Sequence, residues 1–162
     1  MKFETEFAEA AGLAAQLNAR MEAVDVCAAI AKVHKLGGKS QDIQEILRPD
    51  LEALGFQSEK AGLFAQLKVS GLRPDFYRRL GRTGIIAEVE RGKTIHNNMD
   101  LLDLWKCHIC TEADYLFLIV PEARHSEDGK SIKAYEKARD RLATFFNPAN
   151  YVNVDAVFLF SY

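Results

Sequence analysis

Cysteine is scarce in this 162-residue chain, and its three thiols, an odd number, do not make a disulfide framework, so an apolar core has to hold the fold. No apolar run approaches the roughly 20 residues of a membrane-spanning helix. Neither sign of charge is in excess: the formal net charge of -2 argues against a protein that coats nucleic acid through global electrostatics. The opening residues, Met1-Lys2-Phe3-Glu4-Thr5-Glu6, lack the basic patch and apolar run of a secretory signal, and a cytoplasmic location is the expectation. Internal repeats, low-complexity tracts and long linkers are also missing. The expected organisation is one domain over residues 1–162, with a helical extension over 1–38 and a core over 40–162.

What the chain does have is 48% hydrophobic and 27% charged residues, the balance of a soluble globular protein. From Glu4 to Lys35 the positions Phe7, Ala10, Leu13, Leu17, Met21, Ile30 and Val33 recur at helical spacing, which predicts two helices or one interrupted helix. Ser40 is the expected cap of a further helix through Ile43 and Leu47, with Pro49 kinking or restarting it. Strand-like runs follow at Gly62 to Val69, Pro74 to Tyr77 and Gly84 to Glu90, the last two joined by a glycine-bearing hairpin loop. Thr94 is the expected cap of a helix whose apolar face is Ile95, Met99, Leu102, Trp105 and Ile109. A buried strand over Tyr115 to Val120, a helix from Ser131 to Phe146 and a strand over Val154 to Phe160 complete the pattern. Two strand-helix-strand crossovers after a hairpin predict an α/β fold: a mixed central sheet of about five strands, antiparallel first and parallel later, flanked by helices.

Chemistry concentrates in one segment. Glu88 and Glu90 alternate with Val89 along a strand and so face the same way, with Val89 toward the core. If the hairpin brings Asp75 opposite them, three carboxylates converge, and a hard divalent cation is the simplest relief of their repulsion. Mg²⁺ is the expected ion, with Mn²⁺ as a substitute. Arg73, Arg78, Arg79, Arg82, Arg91 and Lys93 form a basic collar around these acids, suited to a phosphate substrate. The same Glu-Val-Glu with nearby arginines also describes a solvated edge strand bearing surface ion pairs.

Pro74-Asp75 followed by Glu88-Val89-Glu90 resembles the PD-(D/E)xK signature of the restriction-endonuclease-like nuclease superfamily, over about Ile43 to Phe160. Glu90 stands where that signature usually has lysine, which resembles a branch of type II restriction enzymes. The resemblance implies Asp75 and Glu88 as metal ligands, the Val89 carbonyl as a further ligand and Glu90 as ligand or general base. Lys93 would approach the phosphate in place of the missing lysine. Glu45 or Glu52 would add an acid from the preceding helix, and Arg73, Arg78, Arg79 and Arg91 would neutralise phosphates. The implied activity is hydrolysis of DNA to 5′-phosphate ends by a homodimer whose contact is made by the N-terminal helices. The rival readings are a nucleic-acid-binding or interaction protein that keeps the fold without cleavage, and a repair nuclease that reads shape.

Other signals carry less. Gly92-Lys93-Thr94 and Gly38-Lys39-Ser40 resemble the end of a P-loop, yet Ala87 and Val33 occupy the required glycine positions. Cys107-His108-Ile109-Cys110 has zinc-ligand spacing but only Cys27 beyond it, so buried thiols at a helix end are the plainer reading. His96 and Asn98, which open the helix after the acidic strand, read as polar residues of a first turn. Trp105, Tyr115, Phe117, Phe145, Phe146, Phe158 and Phe160 read as core.

Overall fold

A computed structural model describes residues 3–35, 38–58, 60–67, 71–91, 94–95, 97–125 and 131–162. Three helices come first: α1 (Glu4–Met21), α2 (Val24–Val33) and α3 (Ser40–Ala53). Strands β1 (Gln57–Ser58), β2 (Phe76–Leu80) and β3 (Thr83–Val89) follow, then α4 (Met99–Ile109) and β4 (Tyr115–Val120). A small hairpin, β5 (Ala123–His125) with β6 (Ser131–Lys133), leads into α5 (Ala134–Ala143), a 3₁₀ turn at Thr144–Phe146 and β7 (Ala156–Ser161).

The main sheet has five strands in the order β1-β2-β3-β4-β7, antiparallel through β3 and parallel from β3 to β7, the mixed α/β arrangement predicted above. Strand alternation divides the core between its two faces. Ile85, Ala87, Val89, Tyr115, Phe117 and Ile119 pack with apolar residues of α1, α2 and α3. Ile86, Leu116, Leu118 and Val120 point the other way, against Leu104 and Cys107 of α4 and Leu142 of α5. The N-terminal helices thus share one apolar cluster with the central strands. Among the described residues, no helix is long and apolar enough to cross a membrane.

Several expectations are corrected. The first strand is Gln57–Ser58, not Gly62 to Val69; Gly62 sits at φ +87°, and bonds from Ala65 N to Gly62 O and from Leu67 N to Phe64 O make that stretch a series of turns. Lys68 and Val69 lie outside the described residues. Pro49 does not restart α3, which runs through it from Ser40 to Ala53 with Ile43, Leu47 and Leu51 on one buried stripe. Lys39, not Ser40, caps that helix, its N–H donating to Asp42 at 3.2 Å. The β2–β3 turn is only Gly81-Arg82, with Leu80 opposite Thr83 and Gly81 at φ +43°. Helix α4 starts at Met99 rather than Thr94. Ser131 belongs to β6, paired with His125, and α5 begins at Ala134.

Candidate functional site: a buried carboxylate cluster with one lysine

The hairpin does bring the three acids together. In the antiparallel pairing Phe76 lies opposite Ala87, so Asp75, one residue before β2, meets the C-terminal end of β3. Asp75 is fixed there by three bonds: its N–H donates to Glu88 Oε2 at 3.2 Å, and its Oδ2 accepts from Val89 N at 2.9 Å and from Gln44 Nε2 of α3 at 2.8 Å. Glu88 is only 2% exposed, and Val89 turns into the opposite cluster, as alternation requires. Glu90, half-buried, is held through its backbone: its N–H donates to Ile119 O at 2.8 Å, and its carbonyl accepts from Tyr162 Oη at 2.8 Å.

Helix α4 adds two side chains that the pattern of Sequence analysis did not single out. Lys106 Nζ lies 2.7 Å from Glu88 Oε1 and 2.9 Å from Asp103 Oδ1. Asp103 is fully buried, with the Lys106 ammonium and the Glu90 carboxyl as its polar neighbours. The helix is rotated relative to its predicted face: Leu102 and Trp105 are 39% and 40% exposed, while Asp100 and Asp103 are at 0%. The period was legible and the phase was not, because hydrophobicity assigns charged residues to the outside. Asp100 is matched by Arg141 of α5, whose Nε lies 3.4 Å from Oδ2 and which also donates to Ile95 O and Asn98 Oδ1. Asn98 precedes α4 at φ 54° in the left-handed region, where asparagine is tolerated.

The electrostatics follow from crowding. Burial, then the charge of Asp103, raises the Glu88 carboxyl well above its ordinary value. Burial, with Asp103 and Asp75 behind it, pushes Glu90 up to about 8; burial raises Asp103 to about 6 against the pull of Lys106. Burial works against the charge on Lys106, but Glu88 and Asp103 outweigh it and hold the ammonium above its usual range. When ionised, the carboxyls around Lys106 carry more negative charge than its one ammonium balances, a repulsion that bound protons or a divalent cation would relieve.

The acids Asp75, Glu88, Glu90 and Asp103 offer oxygen donors only, the donor type that a hard cation takes. Among the described residues no three His, Cys, Asp or Glu side chains already stand at ligand geometry. Lys106 lies between Glu88 and Asp103, so loading a cation there would require the ammonium to move aside.

The predicted basic collar is not a collar around these acids. Arg78 pairs with Glu9 at 2.8 Å and donates to Leu54 O, and Arg79 pairs with Glu112 at 3.1 Å. Arg79 lies about 14 Å along β2 from Asp75 at the rise of an extended strand. Arg91 is 7% exposed and spends its guanidinium on the carbonyls of Val33 and Lys35, tying the segment after β3 to the end of α2. Arg82 pairs with Glu6. Arg73 is exposed, two residues before Asp75. Lys93 and His96 lie outside the described residues. The neighbour supplied by α3 is Gln44, not Glu45 or Glu52: Glu45 pairs with Arg48 at 2.8 Å and Glu52 is exposed. Cys107 and Cys110 are buried thiols and Cys27 is exposed, while His108 Nδ1 accepts from Asn153 N at 2.9 Å.

Compared with known proteins, the chain matches no family model, no curated protein and no solved structure. The functional reading therefore rests on the site.

Proposed function

We propose that this chain is a divalent-metal-dependent DNA endonuclease of the PD-(D/E)xK, restriction-endonuclease-like type, in which Lys106 on α4 takes the place of the lysine absent at Glu90. The observation that carries this reading is the 2.7 Å contact of Lys106 Nζ with Glu88, beside Asp103 and at the mouth of the Asp75 hairpin. A surface edge strand would not bury Glu88 or sink a lysine amine among acids, a combination whose desolvation cost makes it a pointer to a site. The same lysine weighs against the non-cleaving alternative, whose support was the missing motif lysine.

In this reading Asp75, Glu88 and the Val89 carbonyl hold Mg²⁺ or Mn²⁺, with Glu90 or Asp103 completing the set. Such an ion, when bound, would supply Lewis-acid polarisation of the phosphodiester and activation of water. Lys106 sets a positive charge beside the phosphate oxygens and orients the attacking water. The Glu90 and Asp103 pair holds and releases a proton at the edge of the site. Gln44 keeps Asp75 in place from α3. Arg73 is the exposed cation nearest in sequence to the site and contacts the backbone phosphate. A homodimer supplies the second site for the second strand.

Plasmid DNA incubated with the protein and Mg²⁺ tests this. Discrete fragments support restriction-type cleavage, and nicking or smearing supports a structure-specific repair nuclease. No cleavage in any divalent ion returns the reading to a binding protein. Asp75→Ala and Glu88→Ala should remain folded and lose cutting; full activity in both removes these acids from the site.

A further inference from the structure

A cavity of about 610 Å³ opens at the other end of the β2–β3 hairpin, lined by Gly55, Lys60, Tyr77, Arg78, Arg79 and Glu112. Its position follows from the shortness of β1, which pairs only with Phe76 and Tyr77 and leaves the outer edge of β2 from Arg78 onward without a strand partner among the described residues. Three cations and one acid face this space. Gly55 is favoured by its φ of +82°, and the Arg78 guanidinium packs close to its bare backbone, where an added Cβ would lie 3.0 Å from Nη1. The Arg79–Glu112 pair is exposed on both sides, at 54% and 45%, and the side chain of Glu9 opposite Arg78 is 47% exposed. The Arg79–Glu112 pair is worth little in water, so a stronger anion displaces Glu112 at small cost, whereas Arg78, 24% exposed, stays held by Glu9 and the Leu54 carbonyl. Tyr77 anchors the floor, its hydroxyl donating to Glu112 O at 3.1 Å.

The geometry points to this cleft as a binding site for a nucleic-acid backbone, with Lys60 and Arg79 taking phosphates away from the scissile bond. The identity of the polyanion rests on the nuclease reading; the cleft itself rests on its own cations. Its distance from the carboxylates, about 14 Å along β2 to Arg79, corresponds to about four nucleotide steps of one duplex strand at 3.4 Å each. Arg79, remote from the acids, thus engages the same substrate further along its length. Lys60 and Arg79 position the backbone and carry no base specificity.

The test is fluorescence-anisotropy binding of a mixed-sequence 20-base-pair duplex in Ca²⁺ buffer, comparing the full chain with its Lys60→Glu/Arg79→Glu variant and with Arg139→Glu on the distant α5 as a charge control. A parallel titration with tripolyphosphate follows the backbone amide signals of Gly55 and Tyr77. The expected result is at least a tenfold weaker duplex affinity for the double variant alone, a salt slope smaller by about two, and tripolyphosphate shifts at Gly55 and Tyr77 in the wild type only. Duplex binding equal to wild type, or equally weakened by Arg139→Glu, overturns the assignment, as does a poly-glutamate peptide that binds the cleft more tightly than the duplex. Cleavage in Mg²⁺ separates the two readings. A double variant that binds and cuts as wild type removes the cleft and leaves the nuclease. A wild type that cuts nothing, yet shifts with tripolyphosphate, removes the nuclease and leaves a polyanion site.

Discussion

The two ends of the β2–β3 hairpin carry opposite charge in opposite surroundings. At the Asp75 end, acids are buried around one lysine; toward the Gly81 turn, Arg79 and Glu112 pair at the surface with both side chains exposed. The same pair of strands therefore holds ion pairs whose loss costs much and ion pairs whose loss costs little. Burial, not the number of charges, sets the difference: removing one partner of a buried pair leaves an uncompensated charge, whereas water replaces the partner of an exposed one.

The largest effect should come from Lys106→Met. Removing the ammonium from between Glu88 and Asp103 should cost about 3–5 kcal/mol of unfolding free energy near pH 8, read by urea denaturation. The loss should shrink toward pH 5, where the carboxyls take up protons. An unchanged midpoint at pH 8 would erase the contrast between the two ends.

Next in size is the pH dependence of the metal-free wild type. Glu90 and Asp103 are raised to about 8 and about 6 in the folded chain, above their ordinary values of 4.5 and 3.8, so the folded state binds protons that the unfolded chain has released. Raised carboxyls of this kind make stability fall as pH climbs from about 4.5 toward 8. The melting temperature should drop by about 5 °C or more between pH 5 and pH 8, and Mg²⁺ should recover more of it at pH 8 than at pH 5. A melting temperature that rises across this window contradicts the burial of these acids.

Gln44→Ala removes the 2.8 Å bond to Asp75 and should cost about 1 kcal/mol while slowing cleavage several-fold, since the acid loses its tether to α3. The smallest change belongs to the turn end: Arg79→Ala should leave the melting temperature within about 2 °C of wild type. A large loss there would place a buried requirement where the structure has an exposed pair.

Much of this was legible from the residues. The unbroken apolar run Tyr115 to Val120 is β4 to the residue, and period-two alternation placed Glu88 and Glu90 on one side with Val89 in the core. The hairpin placed Asp75 beside them. What could not be read lay in long-range partners: Gln44 reaches Asp75 across 31 positions and Lys106 reaches Glu88 across 18, with no local period to announce either. One signal was available for α4. Asp100, Asp103 and Lys106 recur every third residue on one side of that helix, opposite Leu102 and Trp105, and such a stripe reads as a solvated face unless a site beneath it needs charge. The false strand at Gly62 to Val69 arose similarly, from composition without alternation.

The most direct measurement is single-turnover cleavage of duplex DNA in Mg²⁺ by the wild type and by Lys106→Met, side by side at a pH where thermal melts show both folded. The account predicts cutting by the wild type and a loss of at least about a hundredfold in the variant. Equal rates from the two proteins, or no cutting by the wild type in any divalent ion, would contradict it.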